Sequence, residues 1–592
     1  MDNNSMRRAA LTASTAALLF AISVTGMSCG SASSPKEAAK TEQVCAPGNG
    51  GLSLPPGFCA TIFADNLGHA RHMAVAADGT LYVNTWSGRY YRNSPPPKGG
   101  FLIALRDTNG DGVADDVHRF GDTPEQGSAG GTGIALYKGA LYAEMNDRII
   151  RFALTPGSPV PSGPATTILS GMPLTGDHPM HPFVIDQTGQ LFVNSGSPSN
   201  ACELKNRMPN SPGHEPCTQL ETRAGIWLYD ANKADQHFSP AERYATGIRN
   251  SGGQAFDSAG RLFATQHGRD QLSQNWPSLY RPEQGPELPA EELLQVSKGD
   301  DFGWPYCYYD GFQKKLVLAP EYGGDGKKVG QCADKKGPVA AFPAHWAPNG
   351  LLIYGGQSFP NAYRGGAFIA FHGSWNRAPA PQDGYNVVFQ PLADGQASGR
   401  YILFADGFAG AVKDPGQAQF RPSGLAMGPD GALYISDDVH GRIWRVTYKG
   451  AADAALTAAP PAKTGEAAAK PAQPPEGTHP DAGRKPVALT PPPGFTKEQV
   501  ALGDRIYHGE ERGGTCSGCH GADGRGSSVG RGLVTSHWLW GDGSVASIAK
   551  VVKEGVANPK QSTGAMPPLG GAALSDADVQ AVSAYVWALN HK

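Results

Sequence analysis

The chain has 592 residues, with 50 Lys or Arg against 53 Asp or Glu and a net charge of -3. That length exceeds one ordinary core, so two or more domains are expected, and with no basic run there is no electrostatic footprint for nucleic acid. The 78 Gly and 49 Pro predict many turns between short strands, hence an all-β body.

In chain order, MDNNSMRRAALTASTAALLFAISVTGMSCG sets Arg7 and Arg8 ahead of an apolar run and then small residues, the layout of an export signal over 1–28. No second apolar stretch is long enough to span a bilayer. TGMSC at 25–29 resembles a bacterial lipobox, with Gly26 where that pattern prefers Leu. On that reading Cys29 becomes a lipid-bearing N-terminus, the only membrane contact, followed by a tether over 29–44; the other reading is plain secretion with Cys29 discarded. Six of the nine Cys fall outside both this segment and the CSGCH motif below. In an exported protein their simplest pairing is Cys45 with Cys59, Cys202 with Cys217 and Cys307 with Cys332, although sequence does not fix connectivity. An oxidising compartment follows, the periplasm or cell envelope.

Over 45–450 one pattern recurs: apolar alternation, a Gly turn, then further alternation. It reads MAVAADGTLYVNT at 73, GIALYKGALYAEM at 133, FVIDQTGQLFVNS at 183, GQAFDSAGRLFAT at 253 and GLAMGPDGALYIS at 424, with a looser copy, NAYRGGAFIAFHG, at 361. Each is a β-hairpin signal. Six hairpins over this span predict a six-bladed β-propeller, the competing architecture being one or two large β-sandwiches. DTNGDGVADD at 107–116 spaces Asp107, Asn109 and Asp111 like a Ca²⁺ loop, but His118 stands where the bidentate Glu would be. That predicts a structural Ca²⁺ clip, against a bare Asp/Gly turn.

Residues 451–494 are Ala/Pro/Lys-rich with hardly a large apolar side chain, the composition of a linker. The tail, 495–592, changes to helical spacing in FTKEQVALGDRIYHGE and SDADVQAVSAYVWALNHK, the latter opening on Ser575 and Asp578 like a capping box. Between them, in CSGCH, Cys516 and Cys519 are spaced to form two thioethers to one haem, and His520 to ligate its iron. A redox or zinc CxxC is the alternative, but no second CxxC exists to complete a zinc site. Met566 in TGAMPPLGG is the one Met after CSGCH, so it is the sixth-ligand candidate, against a role as core filler. Together these features resemble a class I cytochrome c, a small all-α domain that transfers electrons.

In the body, YATGIRNSGGQAFDSAGRLFATQHGRD, DFGWPYCYYDG, AFHGSWNR and RPSGLAMGPDGALYISDD resemble the PQQ-dependent soluble glucose, sorbosone and pyranose dehydrogenase family over most of 52–448. The resemblance implies a six-bladed propeller with PQQ at its top, a sugar substrate, and Arg249 and Asn250 facing the quinone and substrate. It also implies that Arg421 holds PQQ, although Ser423 stands where the soluble glucose enzyme has a second Arg. The missing charge is then expected from Arg71, His372 or Arg377, with Trp375 packing. His178, preceded by Asp177, matches the family's general base; His181 stands where sorbosone-type sequences often carry Arg. A Ca²⁺ would bridge PQQ and the carbonyls of Gly268 and Arg269, the latter a departure from Gly-Pro. Electrons would pass from PQQ to haem c and on to a respiratory acceptor. A non-catalytic carbohydrate-binding propeller carrying a cytochrome stays open, whereas an eight-bladed quinohaemoprotein alcohol dehydrogenase is disfavoured by about six repeats and no adjacent Cys pair.

Overall fold

Apolar alternation about a Gly turn gives antiparallel hairpins, and six of them seed six antiparallel sheets. The computed structural model describes residues 45–592 apart from 87–97, 122–130, 375, 378–379, 414–417, 463–488, 509–510, 513–515, 522–523, 527–529, 558, 561–565, 573 and 592. The export signal, Cys29 and Trp375 lie outside the described residues. Five blades follow one another along the chain, from Ala70–Val75 to Asp116–Phe120, Ile134–Tyr137 to Thr166–Ser170, Phe183–Ile185 to Arg243–Thr246, Gln254–Phe256 to Ala340–Phe342, and Pro348–Ile353 to Ile402–Ala405.

The sixth blade joins Pro422–Met427, Leu433–Asp437 and Ile443–Tyr448 to Phe58–Ala64 from the other end of the body. Phe58 lies opposite Tyr448 and Ala60 opposite Val446, so the ring closes on a hydrogen-bonded pair rather than on open edges. Apolar faces of neighbouring sheets meet between blades; around Phe58, for example, the Phe359 ring sits edge-on at 4.8 Å and the Phe404 ring at 5.0 Å. Near the axis the inner strands touch main chain to main chain: a Cβ on Gly424 would stand 2.3 Å from the Arg71 carbonyl oxygen. Only glycine allows that approach.

The repeat at 361 proves offset. Its first strand is Pro348–Ile353, and Asn361–Tyr363 is a 3₁₀ turn before Ala367–Phe371, because the run PNGLLI carries the alternation that the Gly-rich stretch lacks. A separate hairpin, Cys307–Asp310 with Lys315–Leu318, is inserted before the last strand of its blade. All three expected disulfides, Cys45–Cys59, Cys202–Cys217 and Cys307–Cys332, are formed.

The 107–116 loop is held by its own backbone. Asp107 accepts from Gly110 and Gly112 N–H (2.6 and 2.8 Å), Asn109 from Asp111 and Asp111 from Val113, while His118 pairs with Asp116 at 2.5 Å. Among the described residues no group of three or more His, Cys, Asp or Glu is spaced to hold a metal ion.

The start of the 451–494 segment is not loose. Ala459 N–H donates to Leu403 O (2.7 Å) and Ala462 N–H to Asp406 (3.1 Å), pinning it along the propeller. Beyond it, the helix Lys497–Tyr507 opens on a Thr496–Gln499 capping box and Asp576–Asn590 on a Ser575–Asp578 one. They pack with Val545–Glu554 around Tyr507, Ile548, Val582 and Tyr585.

Candidate active site and haem crevice

Cys516–His520 forms one short helix in the C-terminal domain. Cys516, Cys519, His520 and Met566 all line a single crevice with Tyr507, Trp538, Ile548 and Val586, about 1190 Å³ of non-protein space partly open to solvent. His520 Nδ1 donates to the Arg531 carbonyl at 2.7 Å, which fixes the tautomer that leaves Nε2 for iron. Across the crevice, Met566 is held by main-chain bonds to Val556 in both directions, 2.8 and 3.0 Å. Burial pushes the Cys516 and Cys519 thiols up to about 12 and 11. Two thiols, a neutral imidazole and a thioether on apolar walls fit haem c.

The propeller candidates come from the ends of five blades and form two halves of one polar cluster. In the first, Arg249 donates through Nε to Asn200 O (3.0 Å), through Nη1 to Gly268 O (2.8 Å) and through Nη2 to Asp270 (3.0 Å). Arg207 joins Asp270 (2.9 Å) to Asp177 (2.8 Å), and Asn376 donates to Asp270 at 2.7 Å. In the second, Asp438 accepts from Arg71 (2.5 Å) and pairs with His372 (2.8 Å). Arg421 donates to the His372 and Gly373 carbonyls at 3.1 and 2.5 Å. His267 lies between the halves, within electrostatic reach of both Arg249 and His372.

His178 Nδ1 stands 2.8 Å from the Ser197 carbonyl. A carbonyl accepts only, so Nδ1 carries the proton and Nε2 is a lone pair. Arg223 fixes the same loop by donating to the carbonyls of Gly196, Thr175 and His178 at 2.6, 2.9 and 3.0 Å. Burial, with Arg249 nearby, holds the His178 imidazole well below its usual value. Burial likewise lowers His267 to about 3 and His372 to about 4, aided by the adjacent arginines. Burial alone would raise Asp270 and Asp438; Arg249 and Arg207 hold the first, and His372 and Arg71 the second, far below the usual carboxylate range.

One expected participant sits elsewhere. Arg377 is fastened to Glu287 at 2.7 Å and to the Pro286 and Ala344 carbonyls, outside both halves. The Arg269 side chain turns into a buried pair with Glu321 at 2.5 Å, leaving its main chain for any ion. Ser423 is fully buried, so it does not stand in for the second arginine. Sequence reasoning passed over Arg207, Asp270 and Asp438 as functional residues. The signal was available: buried arginines demand acidic partners, and HGRD and SDD supply them.

The cluster fits a polar, anionic ring. It gathers four guanidiniums, and the buried Asn250 Oδ1 beside His178 has no hydrogen-bond partner among the described residues, an unmet group that a ligand would satisfy. For a hard cation the Gly268 and Arg269 carbonyls give main-chain oxygens only, and the Gly268 oxygen already accepts from Arg249 at 2.8 Å, so the rest of its shell would have to come from the bound ligand.

The TrAA12-like family model matches residues 52–449. The chain belongs to that family. Residues 498–586 of this TrAA12-like protein match the cytochrome C oxidase, cbb3-type, subunit III model. The TrAA12-like propeller superposes on the "Holo form of Pyranose Dehydrogenase PQQ domain from Coprinopsis cinerea" with TM-score 0.52 and 20% identity, over 70% of this chain and 99% of that one. It superposes on the "Calcium structure of Trichoderma reesei Carbohydrate-Active Enzymes Family AA12" with TM-score 0.53 and 18% identity, over 67% and 97%. Among curated proteins it is 27% identical over 267 residues to the pyrroloquinoline quinone-dependent pyranose dehydrogenase of Coprinopsis cinerea, 38% of this chain and 35% of that one. It is 29% identical over 211 residues to an uncharacterized protein of Borreliella burgdorferi, 35% and 49%. The chain thus spans half or less of these curated relatives. It is a TrAA12-like six-bladed propeller fused to a cytochrome c domain. Among the described residues no helix is long and apolar enough to cross a membrane.

Proposed function

We propose that this protein is a quinohaemoprotein dehydrogenase of the periplasm or cell envelope. It oxidises a hydroxyl or aldehyde of a sugar or sugar-derived substrate, and its electrons go to the fused haem c and on to a respiratory acceptor. The dehydrogenase is 45–450, the linker 451–494 and the cytochrome 495–592, with export through 1–28 and a lipid anchor at Cys29. Three disulfides suit an oxidising compartment.

The observation that carries the reading is the tautomer of His178, whose Nε2 is an acceptor beside the unmet amide of Asn250. His178 takes the substrate's hydroxyl proton at Nε2, and its lowered pKa keeps it neutral across physiological pH. Arg249 and Asn250 orient substrate and cofactor, while Arg71 and Arg421 supply positive charge around them. Bound PQQ supplies the hydride acceptor, Ca²⁺ on the Gly268 and Arg269 carbonyls supplies Lewis acidity, and haem c, held by Cys516, Cys519, His520 and Met566, supplies a one-electron acceptor. The test is anaerobic mixing of the purified full-length protein with PQQ, Ca²⁺ and a panel of aldoses and sugar aldehydes, following haem absorbance. Haem reduction that needs both PQQ and one of these substrates is expected. Sugar binding without any haem reduction after loading would leave the binding-module reading instead.

A further inference from the structure

The loop Cys202–Cys217, closed by its disulfide, belongs to no blade and is stiffened from within. Glu203, buried, accepts from the Ala201 N–H at 2.8 Å, Asn206 from the Asn200 N–H at 2.9 Å, and Ser211 from the Lys205 N–H at 3.0 Å. This rigid loop presents two cations in opposite directions. Arg207 points inward and joins Asp177, the neighbour of His178, to Asp270. Lys205 points outward, and its Nζ lies 2.7 Å from Asp504 of the cytochrome helix Lys497–Tyr507. Asp504 is itself oriented by His508, Nδ1 to Oδ1 2.9 Å. The same loop carries Leu204, 45% exposed.

We infer that the Cys202–Cys217 loop, which also carries Arg207 of the propeller cluster, is the docking platform for the chain's own haem module, latched by Lys205 and Asp504. The inference rests on the proposed function for its electron donor. Two electrons leave the reduced cofactor singly, each converting one ferric haem to ferrous, and two protons go to solvent. The second electron follows once the respiratory acceptor has reoxidised the haem. An exposed ion pair alone binds weakly, but the module is on the same chain at an effective concentration on the order of millimolar. A weak, renewable latch therefore suffices, and lets the haem leave to meet its acceptor.

Two measurements test it. The first needs no PQQ: zero-length carbodiimide coupling of the purified holocytochrome-bearing protein, with peptide mass analysis. An isopeptide bond between Lys205 and Asp504 is expected, lost in Lys205→Gln; its absence in the native protein overturns the docking. The second follows single-turnover haem reduction in PQQ-loaded protein at low salt. Lys205→Glu and Asp504→Lys should each slow it at least tenfold while dye-coupled oxidation is unchanged, and the double swap should restore it. Haem reduction at the native rate in either single variant sinks the latch. Loss of dye-coupled and haem-coupled oxidation alike in the native protein sinks the proposed function instead, and leaves the coupling result to decide the docking.

Discussion

The two ends of this molecule encode their chemistry in opposite ways. In the cytochrome, five contiguous residues, CSGCH, bring two thiols and an imidazole into one crevice, and one distant Met completes the set. In the propeller, the site is assembled from blade ends some 370 residues apart in sequence, with Arg71 meeting Asp438 at 2.5 Å across the ring closure. A covalent cofactor needs local spacing; a non-covalent one needs a rigid frame to hold dispersed charges.

The contrast can be broken at several points, in decreasing size. His178→Gln is expected to lower kcat about 10²–10⁴-fold, as loss of a general base does, with the dithionite-reduced haem spectrum unchanged. In the native protein kcat/KM stays flat as pH falls through about 6.5, because burial and Arg249 keep His178 neutral below that value; a half-loss at 6.5 would remove it from the role. Arg249→Met deprives Asp270 of one of its two arginines and costs about 3–5 kcal/mol, read as a lower urea midpoint of the propeller transition and lost PQQ binding, with the haem signal intact. Met566→Ala lowers the haem potential by on the order of 0.1 V in a redox titration, where each 59 mV is a tenfold change in equilibrium, and leaves dye-coupled oxidation alone.

Next comes acid lability. Burial holds His72 at about 4 in the folded chain, against about 6.5 unfolded. Below 6.5 the unfolded state binds the proton first, so this stability is full above 6.5 and lost as pH falls toward 4. His72→Gln should reduce the fall in propeller stability over that window by about 2 kcal/mol, measured by denaturant melts at the two pH values. Smallest is Ser575→Ala, which removes the capping box of the last helix. It costs about 1 kcal/mol, visible as earlier thermal loss of the haem environment while the propeller melts unchanged.

How much was legible follows the same division. The hairpins were legible because period-two alternation is written in neighbouring residues; the copy at 361 was displaced because its first strand, PNGLLI, precedes the Gly turn that drew attention. Arg249, Asn250 and His178 stand out through motifs, and the fold draws them together. Arg377 shares those motifs, yet Glu287 draws its side chain away, and no local pattern announces such a through-space partner. Arg207 escaped notice because it sits in an insertion between two half-cystines, where basic residues such as Lys205 and Arg207 read as surface. The pinning of 451–462 was invisible for a different reason: Ala459 is held by its backbone, and composition reports only side chains.

The strand Phe58–Ala64 pairs with Ile443–Tyr448, so the first part of the body to emerge has no neighbour until nearly its last has been made. During synthesis that strand must wait, edge exposed, while some 380 residues pass. The haem-bearing tail emerges only after that partner is present. Assembly is thereby ordered: a chain stopped short of Tyr448 lacks both its seal and its C-terminal domain.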